Sequence, residues 1–310
     1  MRGGPRAAAF LAVALLLIPT AACWTPAAQA TPERPAHVRP TTSAPVRPLR
    51  HVVIMSFDGA RADAARQVFP PALLARAAYS WEARTTVPSS TLPAHTSMLT
   101  GVPTAVHGVR INPNNPRGYI QIATVFSVVT QNGGRAAAFV TKPKLLYLIR
   151  PGTAARAEHL LYPRYDMSAV VREAARYLAQ QQPHLLFIHM SDPDDQGHHY
   201  GWMSPPYMQT MARMPDAVSV ILDVLTRMGR LDDSLVIVTA DHGGVGRTHG
   251  GDRPEEVTIP WLAFGAVEPG PITKSIVTYD TAATAVAALG MPVPRTWQGK
   301  PVVQTVEKVR

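Results

Sequence analysis

Acidic and imidazole side chains follow three apolar runs that lie far apart in the sequence, HVVIMSF, LLFIHM and SLVIVTA. The side chains are Asp58 after the first run, Asp194 and His198 after the second, and Asp241, His242 and then His249 after the third. Carboxylates and imidazoles bind borderline divalent cations such as zinc. Because an open α/β sheet gathers its ligands at the carboxyl ends of parallel strands, these residues are expected to meet there. The pattern predicts a dinuclear metal site, and therefore a metal-dependent hydrolase.

Each segment also has a purely structural explanation. An isolated Asp between a strand and a helix, such as Asp58, is most often a helix cap or a turn residue. The spacing of Asp194 and His198 would place both side chains on one face of a helix. The proline and glycines of residues 193–201 favour a loop instead, and a loop is what we predict. The combination of all three segments at strand ends favours the functional interpretation.

Apolar runs of five or six residues alternate with helical patterns, which is typical of parallel strands buried on both faces. Strands are predicted at residues 51–57, 136–140, 185–190, 235–239 and 261–264. Helices are predicted at residues 61–78, 119–131, 166–181, 206–228 and 281–289, the last with Asp280 as its N-cap. No internal repeat or second linker interrupts this order. We therefore predict a single α/β domain over residues 51–310, with a mostly parallel central sheet and helices on both faces.

The first 50 residues differ from the rest. Residues 1–30 combine Arg2 and Arg6, an apolar run and an Ala-Gln-Ala cleavage point, which predicts a signal peptide and a secreted protein. Residues 31–50 are rich in proline and predict a linker without packed structure.

The single cysteine, Cys23, lies within the predicted signal, so neither an intramolecular disulfide nor a cysteine metal cluster is expected. Its context, TAAC, is similar to a bacterial lipoprotein cleavage box, although Thr20 stands where such boxes prefer leucine. A lipid anchor at the cell surface is therefore the alternative to free secretion. The net charge of +9 favours anionic substrates, but the arginines are not clustered with aromatic residues. Nucleic acid binding is not expected.

Taken together, the motifs resemble those of the alkaline phosphatase superfamily and, within it, the type I phosphodiesterase and nucleotide pyrophosphatase branch. The resemblance covers residues 51–265 and rests on five segments. They are VVIMSFDG, TLPAHTSMLTG at residues 91–101, PTAVHG at residues 103–108, PDDQGH at residues 193–198, and DHG at residues 241–243. It implies an alkaline-phosphatase-like three-layer sandwich.

The resemblance also implies two divalent metal ions, normally zinc, and a threonine nucleophile. One ion would be held by Asp58, Thr91, Asp241 and His242, and the other by Asp194, His198 and His249. Two such cations about 4 Å apart stabilise both the attacking and the departing oxygen of an in-line displacement at phosphorus. Thr91 would attack and carry a covalent phosphoryl group until water removes it. A mixed carboxylate and imidazole set also accepts manganese, iron or calcium-like ions.

Several hydroxyl groups lie close to Thr91 in the sequence, and each is a candidate nucleophile. Pro93 suits the first turn of a helix, which places Thr91 at the helix entrance, where free amides and the macrodipole favour an anion. Thr96 would lie inside that helix. Ser90 is the main rival, and the segment around it could also serve only as a helix cap.

The sequence departs from the family pattern near the nucleophile. Ala94 stands where nucleotide pyrophosphatases have an asparagine that holds a phosphoryl oxygen. Asn112, Asn114 or Asn115 of the INPNNP segment could replace that donor, although a run of Asn and Pro favours a simple turn, which we predict. Lys142 and Lys144 follow the strand at residues 136–140 and could neutralise a phosphoryl or carboxylate charge.

The histidines outside the ligand set have smaller expected roles. We expect His95 and His107 to support the ligands through hydrogen bonds, and His199 to point elsewhere. His249 follows Asp241 by only eight positions, whereas nucleotide pyrophosphatases insert a long segment there, so a nucleotide-binding cap is doubtful.

The favoured function is a phosphodiesterase acting on a small phosphate ester. A phosphomonoesterase or phosphonate hydrolase on the same metals is the alternative, and Lys142 should discriminate because monoesters need an additional fixed cation. A sulfatase is disfavoured, because that motif requires Cys or Ser at the position of Thr91 and Arg at the position of His95. A metal-stabilised binding protein without turnover is the alternative from another class, but it has no use for a nucleophile.

Overall fold

A computed structural model describes residue 1 and residues 48–160 and 166–303 of the chain. The predicted signal peptide, Cys23 and nearly all of the predicted linker lie outside the described residues and stay predictions. The chain divides into residues 1–42 and residues 43–310, and every helix and strand described below belongs to the second of these units.

Eight strands of the described residues form one sheet in the order β4-β3-β5-β1-β6-β7-β2-β8. They are β1 (His51–Phe57), β2 (Ala78–Arg84), β3 (Ala136–Val140), β4 (Arg156–His159), β5 (Leu185–Met190), β6 (Ser234–Thr239), β7 (Thr258–Gly265) and β8 (Gly270–Pro271). Only the pairs of β7 with β6 and with β2 are antiparallel. The predicted α/β class with a mostly parallel sheet is confirmed.

Strands β1, β5 and β6 are buried along their whole length, as their continuous apolar runs predict. Ser56 of β1 lies level with His189 of β5 on one side and with Thr239 of β6 on the other. The chain therefore leaves the three central strands at the same edge of the sheet.

The helices form a layer on each face of this sheet. They are α1 (Ala62–Val68), α2 (Pro71–Leu74), α3 (Thr91–Thr100), α4 (Thr104–His107), α5 (Val125–Gln131), α6 (Met167–Gln181), α7 (Asp192–Tyr200), α8 (Pro205–Met211), α9 (Met214–Arg227), α10 (Pro254–Val257) and α11 (Asp280–Ala288), with short 3-10 helices at Pro143–Leu148 and Leu231–Asp233. Helix α6 packs on α9 in one layer, and α11 packs on α3 and α5 in the other. Within residues 48–160 and 166–303, no helix has both the length and the apolar composition needed to cross a bilayer.

Two predicted helices are too long because prolines divide them. The segment 61–78 forms α1 and α2, separated at Pro70, and then enters β2. The segment 206–228 forms α8 and α9, since a new helix begins at Met214 with Pro215 in its first turn.

Two other boundaries also differ from the prediction. The helix predicted at 119–131 begins only at Val125, because the hydroxyl of Thr124 caps it through the amide of Ser127. Asp280 is the first residue of α11 rather than its cap, and its carboxylate accepts hydrogen bonds from the amides of Val277 and Lys300 at 2.9 and 2.8 Å.

Candidate active site

The first group of predicted ligands lies directly beyond the ends of β1 and β6. The Nε2 atom of His242 is 3.4 Å from Oδ1 of Asp58 and 3.3 Å from Oδ2 of Asp241. All three side chains are fully buried. We call these three residues the inner cluster.

The inner cluster has three atoms that point toward one another, its facing atoms, and they are suited to bind a metal ion. Oδ1 of Asp58, Oδ2 of Asp241 and Nε2 of His242 are buried and have no hydrogen-bond partner within residues 48–160 and 166–303. Unpaired buried polar atoms are costly, so such a set is expected only where another group satisfies it. A tetrahedral ion with zinc-like bond lengths separates its ligand atoms by about 3.3 Å. The inner cluster therefore fits a divalent metal ion.

The second group consists of Asp194, His198 and His249, which we call the outer cluster. The Nε2 atoms of His198 and His249 are 3.4 and 3.5 Å from Oδ1 of Asp194 and 3.1 Å from each other. In the part of the chain that the structure describes, Asp194 Oδ1 also lacks a hydrogen-bond partner. The outer cluster gathers its three ligand atoms as tightly as the inner one does.

Backbone carbonyls fix the proton on each of the three imidazoles. The Nδ1 atoms of His198, His242 and His249 lie 3.0, 2.8 and 2.8 Å from the carbonyl oxygens of Arg247, Gly243 and Ser89. When Nδ1 donates to a carbonyl, the neutral ring presents the lone pair of Nε2. In the outer cluster two such lone pairs then face each other and a carboxylate oxygen, an arrangement that a shared cation stabilises.

The outer cluster stands on a helix where a loop was predicted. Pro193 lies in the first turn of α7, where its missing amide costs no hydrogen bond. A Cβ at Gly197 would lie 2.5 Å from the ring of Trp202, so this glycine serves close packing rather than a turn. The helix places Asp194 and His198 one turn apart on the same face, which the prediction of a loop missed.

A glycine also allows the two clusters to approach each other. Gly59, directly after Asp58, has a φ of 74°, and a Cβ there would come within 2.8 Å of the backbone of Asp194. Its amide donates to Oδ1 of Asp241 at 3.1 Å. Gly59 thereby connects the segment after β1 with Asp241 after β6, and its missing side chain leaves room for Asp194.

Lys142 connects the inner and the outer cluster. Its Nζ atom is 2.7 Å from Oδ2 of Asp58, 2.6 Å from Oδ2 of Asp194 and 3.4 Å from Oγ1 of Thr91. Burial alone would lower the pKa of Lys142, but Asp194 and then Asp58 raise it above its ordinary value. The lysine is a fixed cation inside the site.

The same ammonium controls the charge of Asp58. Burial by itself would raise the pKa of this carboxyl group, but Lys142, together with a hydrogen bond from His189, holds it well below its usual range. Burial and then His242 lower the pKa of His249 to about 4. Asp58 therefore presents a charged carboxylate and His249 a neutral imidazole, which are the forms that bind metal.

Thr91 is the first residue of α3 and is almost completely buried. Among the neighbouring hydroxyls, Thr96 donates to the carbonyl of Leu92 inside the helix, and Ser89 donates to the carbonyl of Gly251. Ser90 is the N-cap residue and makes no capping hydrogen bond through its side chain. Thr91 lies at the helix entrance as predicted, with its hydroxyl beside Lys142.

Asn112 is not merely part of a turn, contrary to the preferred interpretation of the INPNNP segment. Its Oδ1 atom accepts hydrogen bonds from the amide of Leu92 and from Nζ of Lys144, both at 3.1 Å. The side chain therefore reaches the entrance of α3, next to the nucleophile candidate. The structure thus brings every predicted site residue, Asn112 included, to one edge of the sheet.

His189 was missed by the sequence analysis. It lies in β5 with its Nε2 atom 2.9 Å from Oδ2 of Asp58, and burial lowers its pKa to about 4 in spite of that carboxylate. The only signal was a single histidine within an apolar strand. His95 also lies close to the inner cluster, with Nδ1 2.8 Å from the carbonyl of Thr91 and 3.3 Å from Asp241 Oδ2.

His107 and His199 make no contact with either cluster in the described residues. His107 forms a hydrogen bond with Ser97 of α3, so it supports the helix that begins with Thr91 rather than one of the two clusters. His199 is exposed and packs against Tyr200, which agrees with its expected direction.

The profile of the family described as type I phosphodiesterase / nucleotide pyrophosphatase matches residues 52–254. The chain belongs to this family. The matched range contains both clusters, Thr91, Asn112 and Lys142. Membership confirms the predicted family and, at this level, the predicted class of enzyme, a hydrolase of phosphoric esters.

Solved structures support the same fold. Human ectonucleotide pyrophosphatase / phosphodiesterase 5 superposes with a TM-score of 0.68 at 13% identity, over 82% of this chain and 100% of that chain. The murine protein gives 0.67 at 14% identity with the same coverages. A 2-O GAG sulfatase gives 0.63 at 13% identity, over 82% of this chain and 73% of the sulfatase chain. The alkaline-phosphatase-like sandwich is therefore confirmed.

Two curated relatives are similar in sequence over shorter ranges. GPI ethanolamine phosphate transferase 1 of Saccharomyces cerevisiae is 29% identical over 91 residues, which are 29% of this chain and 10% of the relative. The catalytic subunit of human GPI ethanolamine phosphate transferase 2 is 28% identical over 149 residues, 44% of this chain and 15% of the relative. The aligned range is thus a small part of each of these proteins.

Proposed function

We propose that this protein is a secreted phosphodiesterase that uses Thr91 as its nucleophile and two divalent metal ions as cofactors. The observation that carries the proposal is the pair of ligand clusters beside the Thr91 hydroxyl. In these clusters one side-chain atom each of Asp58, Asp194, Asp241 and His242 lacks a hydrogen-bond partner among the described residues. Asp58, Asp241 and His242 would hold one ion, with Thr91 as a further ligand, and Asp194, His198 and His249 would hold the other. The imidazole-rich outer cluster favours zinc.

The reaction would proceed in two displacements at phosphorus. The bound ions would lower the pKa of the attacking hydroxyl and neutralise charge on the departing oxygen. Oγ1 of Thr91 forms a bond to phosphorus as the bond to the first alcohol breaks, and that alcohol leaves with a proton. Water then forms a bond to phosphorus, and the bond to Oγ1 breaks and regenerates the hydroxyl.

The protein contributes orientation to both steps. Because Thr91 begins α3, its attack brings the phosphoryl oxygens to the N-terminal end of that helix, where the macrodipole favours an anion. Asn112 binds the amide of Leu92 in the same turn, so its side chain is held beside the reacting group. It can take the place of the asparagine that Ala94 replaces.

A second function, hydrolysis of phosphomonoesters or phosphonates, is favoured by Lys142. A monoester carries one more negative charge than a diester, and Lys142 is a fixed ammonium 3.4 Å from Oγ1 of Thr91. Its charge is shared with Asp58 and Asp194, which are also proposed metal ligands. Hydrolysis of diesters therefore remains our first proposal, and the monoester is the comparison substrate.

The test is the turnover of a chromogenic phosphodiester and the matching phosphomonoester by the wild type, Thr91→Ala and Ser90→Ala. Loss of both activities in Thr91→Ala, with activity kept in Ser90→Ala, supports the nucleophile. Wild-type turnover in Thr91→Ala contradicts it. Equal or faster turnover of the monoester by the wild type would move the substrate class to the second candidate.

Secretion rests on residues 1–30, and its rival is a lipid anchor on Cys23. The mass of the protein exported from a bacterial host separates the two. A mature chain that begins after Ala30 supports secretion, whereas a chain that begins with acylated Cys23, and is released by Cys23→Ala, supports the anchor.

A further inference from the structure

A groove runs along the sheet edge formed by β2 and β8, and we call it the edge groove. Its volume is about 860 Å³, within the range of about 300–1000 Å³ that is typical of sites for small ligands. Helix α1 lines one side of it, and residues 271–275, which follow β8, line the other. The described residues that line the edge groove include neither Thr91 nor any member of the two clusters. It is therefore distinct from the site of the phosphate ester.

Strand β2 is irregular on both of its sides at Trp81, within the edge groove. Its pairing with β7 shifts register between Ser80 and Ala83, which forms a β-bulge. On the opposite side, the structure describes both segments and shows no backbone hydrogen bond between residues 273–275 and β2, although the chain before and after them pairs with it. Bulges re-aim side chains and often lie beside functional sites. The bulge and the detached segment together open the edge groove at Trp81.

The floor of the edge groove is aromatic. The ring centroids of Tyr79 and Trp81 are 5.7 Å apart, with an angle of 45° between the ring planes. Both side chains are half-buried and line the groove. Phe69, which is buried, also packs against Trp81 and helps to hold the orientation of its ring. Aromatic faces of this kind bind the apolar face of a ligand.

The walls of the edge groove carry charges of both signs in equal number. The charged residues that line it are the cationic Arg61, Arg66 and Lys274 and the acidic Asp63, Glu82 and Glu255. The groove is therefore neutral as a whole, although the chain has a net charge of +9. Because neither sign is in excess, the groove selects neither an anion nor a cation.

Most of these charged groups are not neutralised by one another. Arg61 and Asp63 form an ion pair at 2.6 Å. Those without an ion pair in the part of the chain that the structure describes are Arg66, Glu82, Glu255 and Lys274. The last of these donates only to a backbone carbonyl, that of Pro301. The walls thus offer charged donors and charged acceptors to a ligand that can use both.

A neutral sugar chain has the properties that the edge groove requires. Each ring has an apolar face of C–H groups, which suits an aromatic floor. Its hydroxyls donate to carboxylates and accept from guanidinium and ammonium groups, and two adjacent hydroxyls can donate to one carboxylate. Successive amides of an extended peptide point to opposite sides, so two neighbouring amides cannot bind one carboxylate in this way.

We propose that the edge groove binds a neutral oligosaccharide, with one sugar ring packed on Trp81 and hydroxyls bound by Glu82 and Arg66. The role of such a site is attachment of the protein to a glycan. It goes beyond the proposed function and does not depend on it, because no ester, metal ion or residue of the two clusters takes part.

The test is calorimetry with the purified full chain and a panel of probes of similar length. The neutral probes are cellohexaose, maltohexaose, mannohexaose and chitohexaose, the anionic probe is hexagalacturonate, and the peptide probe is decaproline. We expect at least one neutral probe to bind with a Kd of about 1 mM or tighter. Binding of hexagalacturonate alone, binding of decaproline alone, or no binding of any probe would overturn the proposal.

Trp81→Ala places the bound glycan in the edge groove. Loss of the aromatic floor should raise Kd for the neutral probe about 10- to 100-fold. Tyr119→Ala, which removes an exposed aromatic ring outside the groove, should leave Kd unchanged. A wild-type Kd in Trp81→Ala would show that the glycan binds elsewhere and would overturn the proposal.

Glu82→Ala keeps the test decisive if Trp81→Ala fails to fold, because Glu82 is exposed. Removal of its carboxylate should raise Kd about 10-fold, the value of one hydrogen bond to a charged group. Asp223→Ala is the matched control, since it removes an exposed carboxylate outside the groove and should not change Kd. Retention of the wild-type Kd in Glu82→Ala, or an equal rise in Asp223→Ala, would contradict the proposal.

Discussion

The two ligand clusters are built in different ways, although each offers three ligand atoms to an ion. The inner cluster, Asp58, Asp241 and His242, extends from neighbouring parallel strands in the centre of the sheet and is fully buried. The outer cluster stands on α7 and on the turn before His249, and 46% of the His198 side chain is exposed. The sheet places one cluster in the interior, whereas a helix and a turn hold the other where one of its ligands, His198, reaches solvent.

This difference indicates a division of roles. The inner cluster lies directly beyond two strands in fixed register and is further held by hydrogen bonds, so it is suited to hold an ion permanently beside Thr91. The outer cluster is open enough for a departing alcohol or an entering water. We therefore expect substitutions in the inner cluster to have larger effects than those in the outer cluster.

The largest effect is expected from Asp241→Asn. The substitution keeps the size of the side chain but removes a buried charge that an inner metal ion requires. We expect kcat/KM for the preferred ester to fall about 1000-fold or more, with loss of one bound ion per chain. Full metal content measured together with wild-type kcat/KM would contradict the role of the inner cluster.

A smaller effect is expected from Lys142→Met, which removes the ammonium that joins the two clusters. In the presence of a chelator, Asp58 and Asp194 are then left as unpaired buried charges, and the free energy of unfolding should fall by about 3 kcal/mol. The loss should be smaller with metal present, since the ions take over part of this neutralisation. Denaturant unfolding with and without chelator measures both losses, and equal losses would contradict neutralisation of Asp58 and Asp194 by bound ions.

His198→Ala tests the outer cluster and has its neighbour as a control. Removal of one exposed ligand should weaken the binding of one ion about 100-fold and leave the other in place. His199→Ala, on the same helix, should change neither ion, because His199 packs against Tyr200. Titration of the metal-free protein with zinc measures both, and loss of both ions in His198→Ala would contradict the division of roles.

The smallest effect is expected from His189→Gln. His189 forms its hydrogen bond with Oδ2 of Asp58, not with the Oδ1 atom that faces His242. Its loss should weaken metal binding about 10-fold through misorientation of Asp58, and kcat should fall less than in Asp241→Asn. A loss of metal binding and of kcat as large as that in Asp241→Asn would indicate that His189 is itself a metal ligand.

The sequence predicted the parts of the site that depend on local patterns. Long apolar runs located β1, β5 and β6, and each carries ligands shortly after its last residue, so the parallel arrangement sufficed to bring Asp58, Asp194 and Asp241 together. Pro93 likewise located the entrance of α3 at Thr91.

What the sequence missed depends on contacts between distant residues. The loop predicted at residues 193–201 is a helix because Gly197 packs on Trp202, and β2 was missed because its partner β7 lies far along the chain. His189 has the sequence context of a core histidine. The contact between Asn112 and Leu92 forms only when the loop after α4 folds back on α3.

The most direct test of the central claim is the number of metal ions bound to the purified protein, measured by elemental analysis after removal of free metal. The account predicts two ions per chain in the wild type, and one in a protein that carries His198→Ala. Active protein without bound ions, or with activity that survives their removal by a chelator, would contradict it.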